Sequence, residues 1–244
     1  VGMLAQLRRP SENVAGQLMA LIPWVALVLT FALTNRWVFA PAPILGALTL
    51  TATILHPTGR DFFRSFSVSP ENRVIIALVI IAAVPLLAFA STNIGLQRTV
   101  TNDHAALGHY GFMAAFSVTV IGVGLLASLR PDGWRLTAWV AGLLPAFLSL
   151  ASVVFPDRDS SLGLVWALAA MAWGVGFVAA AEFIHRGGRT PSGGAPEAGV
   201  APGRGSTTDT PRWVYVFGVG ALILALLFVI LHLTGGGPGL HTPR

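Results

Sequence analysis

The fold is decided by long apolar stretches such as residues 74–92, VIIALVIIAAVPLLAFAST, which contain no charged side chain. As a helix this stretch would reach about 28 Å, close to the roughly 30 Å hydrocarbon core of a bilayer. The stretches of this kind are residues 17–34, 38–55, 74–92, 107–128, 136–155, 162–184 and 213–233. Backbone groups in hydrocarbon must be satisfied within their own segment, so these stretches are helices. The sequence therefore predicts an all-α, polytopic transmembrane helix bundle with seven spans.

Composition supports a membrane protein and excludes several kinds of site. The chain has 244 residues and only 10% are charged, whereas soluble domains carry roughly 25%. It contains no cysteine, so disulfides, thiolate metal sites and iron–sulfur clusters are excluded. Every Lys or Arg position is arginine, and without lysine a retinal-type Schiff base cannot form.

The arginines alternate between rich and poor gaps along the chain. The rich segments hold Arg8, Arg9, Arg60, Arg64, Arg73, Arg130, Arg135, Arg186, Arg189, Arg204 and Arg212. The segments between them hold Arg36, Arg98, Arg158 and Arg244. Because cytoplasmic loops carry the excess of arginine, the pattern predicts a cytoplasmic N-terminus and an extracytoplasmic C-terminus in the cytoplasmic (inner) membrane. The dispersed charge favours the lipid bilayer as partner and argues against nucleic acid.

The same pattern divides the chain into five parts. Residues 1–16 are predicted to be a cytoplasmic tail, and residues 17–185 a body of six transmembrane helices. Residues 186–212 are rich in Gly, Pro, Ser and Thr and have too few large apolar side chains to offset ordering, so they predict a disordered cytoplasmic linker. Residues 213–233 form the seventh predicted helix, and residues 234–244 a flexible extracytoplasmic tail.

The densest polar cluster lies at the predicted outer face, at the start of the fourth span. Asn102 or Asp103 is a suitable N-cap for that helix. His104 and His109 are five residues apart, which on one continuous helix separates them by about 140° and keeps them from sharing an ion. His109 and Met113, four apart, could hold a soft metal such as Cu(I) if another segment added ligands.

Two histidines near the C-terminus, His232 and His241, are the candidate partners for such a site. His109 and His232 are also the pair that could ligate haem from two helices. A plainer interpretation is that a histidine near a span end hydrogen-bonds a backbone carbonyl and Met113 packs in the bundle. We expect no cofactor, with haem or copper as the alternatives.

At the predicted cytoplasmic face, Glu182, His185 and Arg186 share a helix end. A di-metal site would need carboxylates from other spans, and the sequence offers none there. Glu182 and Arg186 are therefore expected to form an ion pair one turn apart. In the same helix, small residues such as Gly174 and Gly176 predict close contact with a neighbouring helix.

The absence of charged residues at the centre of any span argues against a proton relay or an ion pathway. The sequence thus predicts a non-catalytic accessory or interaction component of the membrane, acting through membrane-protein partners or as a homo-oligomer. One alternative is haem or copper binding at the outer face through His109 and His232, with His104 as a further candidate metal ligand. A second is a transporter of an apolar or amphipathic solute, suggested by prolines that interrupt apolar helices: Pro23, Pro41, Pro43, Pro85 and Pro145.

Overall fold

The computed structural model describes residues 2, 14–35, 41–56, 66, 72–158 and 161–187. The helices in these ranges are α1 (Val14–Thr34), α2 (Pro41–Ile54), α3 (Asn72–Thr99), α4 (Asp103–Ala106), α5 (His109–Ser128), α6 (Trp134–Val154) and α7 (Leu164–Gly187). No strand occurs in the part of the chain that is described, and the predicted all-helical architecture is confirmed there. The predicted linker beyond residue 187, the seventh span and the C-terminal tail lie outside the described residues.

Five helices, α1, α3, α5, α6 and α7, are long and apolar enough to cross a membrane. The second predicted span is shorter than expected, because α2 has 14 residues and reaches only about 21 Å. The expectation that Pro41 and Pro43 interrupt this helix is wrong. Both lie in its first turn, where a missing backbone donor costs nothing. Pro23, Pro85 and Pro145 do lie inside helices.

Helix α5 is the central element of the bundle, packing against α1, α3 and α6, while α6 packs most extensively on α7. A Cβ built on Gly142 of α6 would lie 2.5 Å from the carbonyl oxygen of Gly174 in α7. The two backbones therefore touch at this crossing, as expected for small residues between membrane helices. The expected contact at Gly174 is confirmed. No described part of this chain approaches Gly176, since nothing lies within 4 Å of a Cβ built there, so close contact at Gly176 stays a prediction.

Long helices that follow one another in the chain run in opposite directions. The amide of Gln17 at the start of α1 donates to the hydroxyl of Thr53 at the end of α2, at 2.8 Å. The backbone N–H of Ala15 donates to the carbonyl of Asp132 just before α6, at 3.0 Å. The shared core joins the start of α3 to the ends of α5 and α7, through Ile75, Leu126 and Ala181.

These contacts sort the described arginines between the two ends of the bundle. One end, called the arginine-rich end below, carries Arg73, Arg130, Arg135 and Arg186. The opposite end carries Arg98 at the end of α3 and Arg158 after α6. The alternation in the sequence is therefore a separation in space for this part of the chain.

Candidate functional site

The helix expected over residues 107–128 is broken at its start, at the opposite end of the bundle. Four residues form α4, and Leu107 and Gly108 separate it from α5. Gly108 has φ 74° and ψ 15°, a left-handed conformation that a residue with a Cβ adopts only at a cost. Residues 102–111, called the α4–α5 corner below, therefore change direction within one turn.

The break brings two histidines together that one continuous helix would hold apart. The ring centroids of His104 on α4 and His109 on α5 lie 5.3 Å apart, with an angle of 56° between the ring planes. The expected separation of about 140° is wrong, because that angle assumes uninterrupted 3.6-residue turns. His104 is exposed and His109 half-buried, so the pair sits at the surface of the corner.

Gln97, near the end of α3, forms hydrogen bonds with the backbone on both sides of the α4–α5 corner. Its side chain is fully buried, with 0% of its surface exposed. Its Nε2 donates to the carbonyl of Ala105 at 2.7 Å, and its Oε1 accepts from the backbone N–H of Gly111 at 3.0 Å. One amide thus satisfies a carbonyl of α4 and an orphan donor in the first turn of α5.

Asn102 holds the corner from the outside. Its Oδ1 accepts from the N–H of Ala105 at 2.9 Å, so Asn102 is the N-cap of the short helix α4. The N-cap predicted for the fourth span is wrong, because α5 begins after Gly108 and has no side-chain cap. Its Nδ2 donates to the hydroxyl of Tyr110 at 3.1 Å. The Tyr110 side chain is 2% exposed, and its ring centroid lies 6.3 Å from that of His104 and 5.7 Å from that of His109. The imidazole pair therefore stands beside a buried, hydrogen-bonded phenol.

The other predicted ligands are only partly placed. Met113 is half-buried on α5, one turn after His109, and its carbonyl accepts from the hydroxyl of Ser117 at 3.3 Å. His232 and His241 lie outside the described residues. Among the residues that are described, no three His, Cys, Asp or Glu side chains come together closely enough to hold a metal ion. The corner therefore offers two imidazoles, without a third ligand of these types.

A second polar cluster lies at the arginine-rich end and joins α6 to α7. Arg135 donates to Glu182 through Nε at 2.6 Å and through Nη2 at 2.7 Å. The indole N–H of Trp139 donates to the same carboxylate at 2.8 Å. The expected pairing of Glu182 with Arg186 is wrong. The guanidinium of Arg135 presents two parallel donors to the carboxylate, which a neighbour one turn along the same helix matches less well.

The sequence patterns did not single out two residues that shape the α4–α5 corner, Gln97 and Gly108. The position of Gln97 could have indicated its role. An amide at the end of an apolar helix needs hydrogen-bond partners, and the nearest unpaired backbone groups are those at the start of the next helix. Gly108 carried a weaker signal, as a glycine between two histidines within a predicted helix. The contact between the two rings depends on both residues.

Comparison of the chain with protein-family models, with curated proteins and with solved structures finds no match.

Proposed function

We propose that this protein is a seven-span, non-catalytic accessory or interaction component of the cytoplasmic membrane, with its N-terminus in the cytoplasm. Five described helices of membrane-spanning length support the multi-pass part of the proposal. The grouping of Arg73, Arg130, Arg135 and Arg186 at one end supports the orientation, since positively charged loops stay in the cytoplasm.

The observation that carries the non-catalytic proposal is the use of polar side chains within the helices. Hydroxyls donate to carbonyls about one turn earlier in their own helices, at Thr30, Thr49, Thr53, Thr119 and Ser149. Gln17 bonds across to Thr53, and the indole of Trp173 donates to the carbonyl of Leu78 at 2.9 Å. These bonds satisfy polar groups in apolar surroundings and connect neighbouring helices. The polar side chains within the spans thus stabilise the helices and the contacts between them.

Surface shape supports action through a partner helix. Gly176 on α7 and Gly95 on α3 are exposed, and a Cβ built on either would meet nothing within 4 Å. Ala169 and Ala172 extend the exposed small surface of α7. Small residues at a lipid-facing surface allow another helix to approach closely. The proposed partner is another membrane protein or a second copy of this chain.

Cross-linking in native membranes tests the partner. A photoreactive residue at position 176 should give a discrete cross-linked species, and the same residue at the exposed Val153 of α6 is the control. A Gly176→Leu variant should reduce the size of the complex in mild detergent. A monodisperse monomer with no cross-link at position 176 would contradict the proposal.

Single cysteines test the orientation, since the natural chain has none. A cysteine replacing Ser160 should react with an impermeant thiol reagent in intact cells, because the proposal puts this turn outside. A cysteine replacing Ser192 should react only after the cells are opened. The reverse pattern refutes the proposed topology.

The second candidate function is cofactor binding at the outer face, and the contact between His104 and His109 favours it. Haem bound through His109 and His232 would give a Soret band that His109→Ala abolishes, and a colourless purified protein would contradict it.

The transporter alternative is weakened, because Pro41 and Pro43 begin α2 instead of interrupting it.

A further inference from the structure

The centroid separation of the two imidazole rings in the α4–α5 corner matches that of two imidazole ligands on one metal ion. With a metal–nitrogen bond of about 2.0–2.1 Å and about 1.2 Å from that nitrogen to its ring centre, each centroid lies about 3.2 Å from the ion. Two such rings at a tetrahedral angle have centroids about 5.2 Å apart. The observed distance between His104 and His109 is 5.3 Å.

The same geometry excludes one alternative for this pair. Axial ligands on opposite faces of a haem point at the iron along one line, so their centroids would be about 6.4 Å apart. That is about 1 Å more than the observed separation. His104 and His109 therefore suit a bent arrangement around a bare ion, and do not suit a haem held between them.

The corner also fixes the backbone that carries the two rings before any ion arrives. Gln97 is bonded to both helices, Asn102 caps α4 and bonds Tyr110, and Gly108 sets the turn between them. Because the backbone of both histidines is already fixed, binding a ligand costs little conformational entropy. More of the interaction free energy therefore contributes to the binding affinity. Asp103, exposed and next to His104, adds negative charge beside the proposed site.

We propose that His104 and His109 together bind one divalent transition-metal ion of the Zn²⁺, Cu²⁺ and Ni²⁺ class at the outer end of the bundle. Imidazole suits these ions, whereas Mg²⁺ and Ca²⁺ prefer oxygen ligands. Water fills the remaining coordination positions. The site is independent of the proposed accessory function and of any partner.

Metal titration of the full chain tests the proposal. The protein is purified in detergent with a tag that contains no histidine, and Ni²⁺, Zn²⁺ and Mg²⁺ are titrated by calorimetry. One Ni²⁺ or Zn²⁺ should bind per chain and Mg²⁺ should not. Loss of an outer-shell contact alone costs 10–100-fold in affinity, so His104→Ala and His109→Ala should each weaken binding by about tenfold or more. His56→Ala, at the arginine-rich end, is the matched control and should leave the affinity unchanged.

Two further measurements separate the corner from other histidines. Pulsed electron paramagnetic resonance of bound Cu²⁺ should count two imidazoles in the natural chain and one in His104→Ala. The double variant His232→Ala, His241→Ala should keep the ion. The proposal is overturned if this double variant loses the ion, or if His104→Ala binds as tightly as the natural chain. His104 is exposed, so its variant is expected to fold, and a melting temperature confirms that.

Discussion

The ion pair between Arg135 and Glu182 should be the strongest polar connection between α6 and α7. Replacing Glu182 by Leu removes an acceptor that takes three bonds of 2.6, 2.7 and 2.8 Å, from Arg135 twice and from Trp139 once. The guanidinium would then be left beside the bundle without its carboxylate. Arg135→Leu gives the complementary loss.

The magnitude follows from how far water reaches the pair. The side chains are 30% and 16% exposed for Arg135 and Glu182. Breaking a fully buried pair costs about 3–5 kcal/mol, and a fully exposed pair contributes about 0–1 kcal/mol. The contribution of this partly shielded pair should lie between these two values. Each single variant should therefore lose about 2 kcal/mol of its free energy of unfolding. In a chain of this length that corresponds to a fall of about 4–8 °C in Tm.

Thermal unfolding in detergent, followed by tryptophan fluorescence, measures the effect. The double variant with Leu at both positions should be more stable than the sum of the two losses predicts, by about 1–2 kcal/mol, because no charge is left alone. Arg186→Leu is the control and should cost less than about 0.5 kcal/mol. Equal losses for Arg186→Leu and Arg135→Leu, or additive losses at 135 and 182, would refute the assignment.

Three other perturbations probe separate contacts. Gln97→Leu leaves the buried N–H of Gly111 without its partner and removes one of the two bonds to the Ala105 carbonyl, so unfolding in detergent should become easier by about 1–3 kcal/mol; an unchanged Tm would contradict this. Gly142→Ala forces a Cβ to 2.5 Å from the carbonyl oxygen of α7 and should cost about 1–3 kcal/mol, whereas Gly176→Ala, which meets nothing, should be neutral or slightly stabilising. Burial lowers the pKa of His56 from 6.5, so the folded state takes up a proton less readily than the unfolded chain. The folded protein should therefore be most stable above pH 6.5 and should lose stability as the pH drops toward the lower pKa of the folded state. In the His56→Gln variant, this dependence of Tm on pH should disappear.

Much of the fold could be predicted from local features of the chain. Helices form where apolar stretches exceed the thickness of a bilayer, since an unpaired backbone group in hydrocarbon is too costly. The five long described helices agree with that rule. Helix α2 departs from it, since it has only 14 residues. A hydropathy profile counts apolar residues, and it does not show at which residue the hydrogen-bonded helix begins.

The pairing of side chains was harder to predict, because it depends on which helices are neighbours. Glu182 had an arginine one turn away in sequence, yet its partner is Arg135 on α6, which offers two donors at once. Only the packing of α6 on α7, through Gly142 and Gly174, brings that arginine within reach. A sequence pattern reports distance along one helix and carries little information about distance between helices.

The sequence by itself determined a helical membrane protein and the alternation of arginine-rich and arginine-poor gaps. Those properties follow from hydropathy and charge, which act residue by residue. Tertiary structure alone decided that His104 and His109 meet. Their 5.3 Å separation depends on a left-handed turn at Gly108 and on Gln97 of another helix. The physical reason is that one glycine with positive φ redirects a helix, and a buried amide then makes the new direction the stable one.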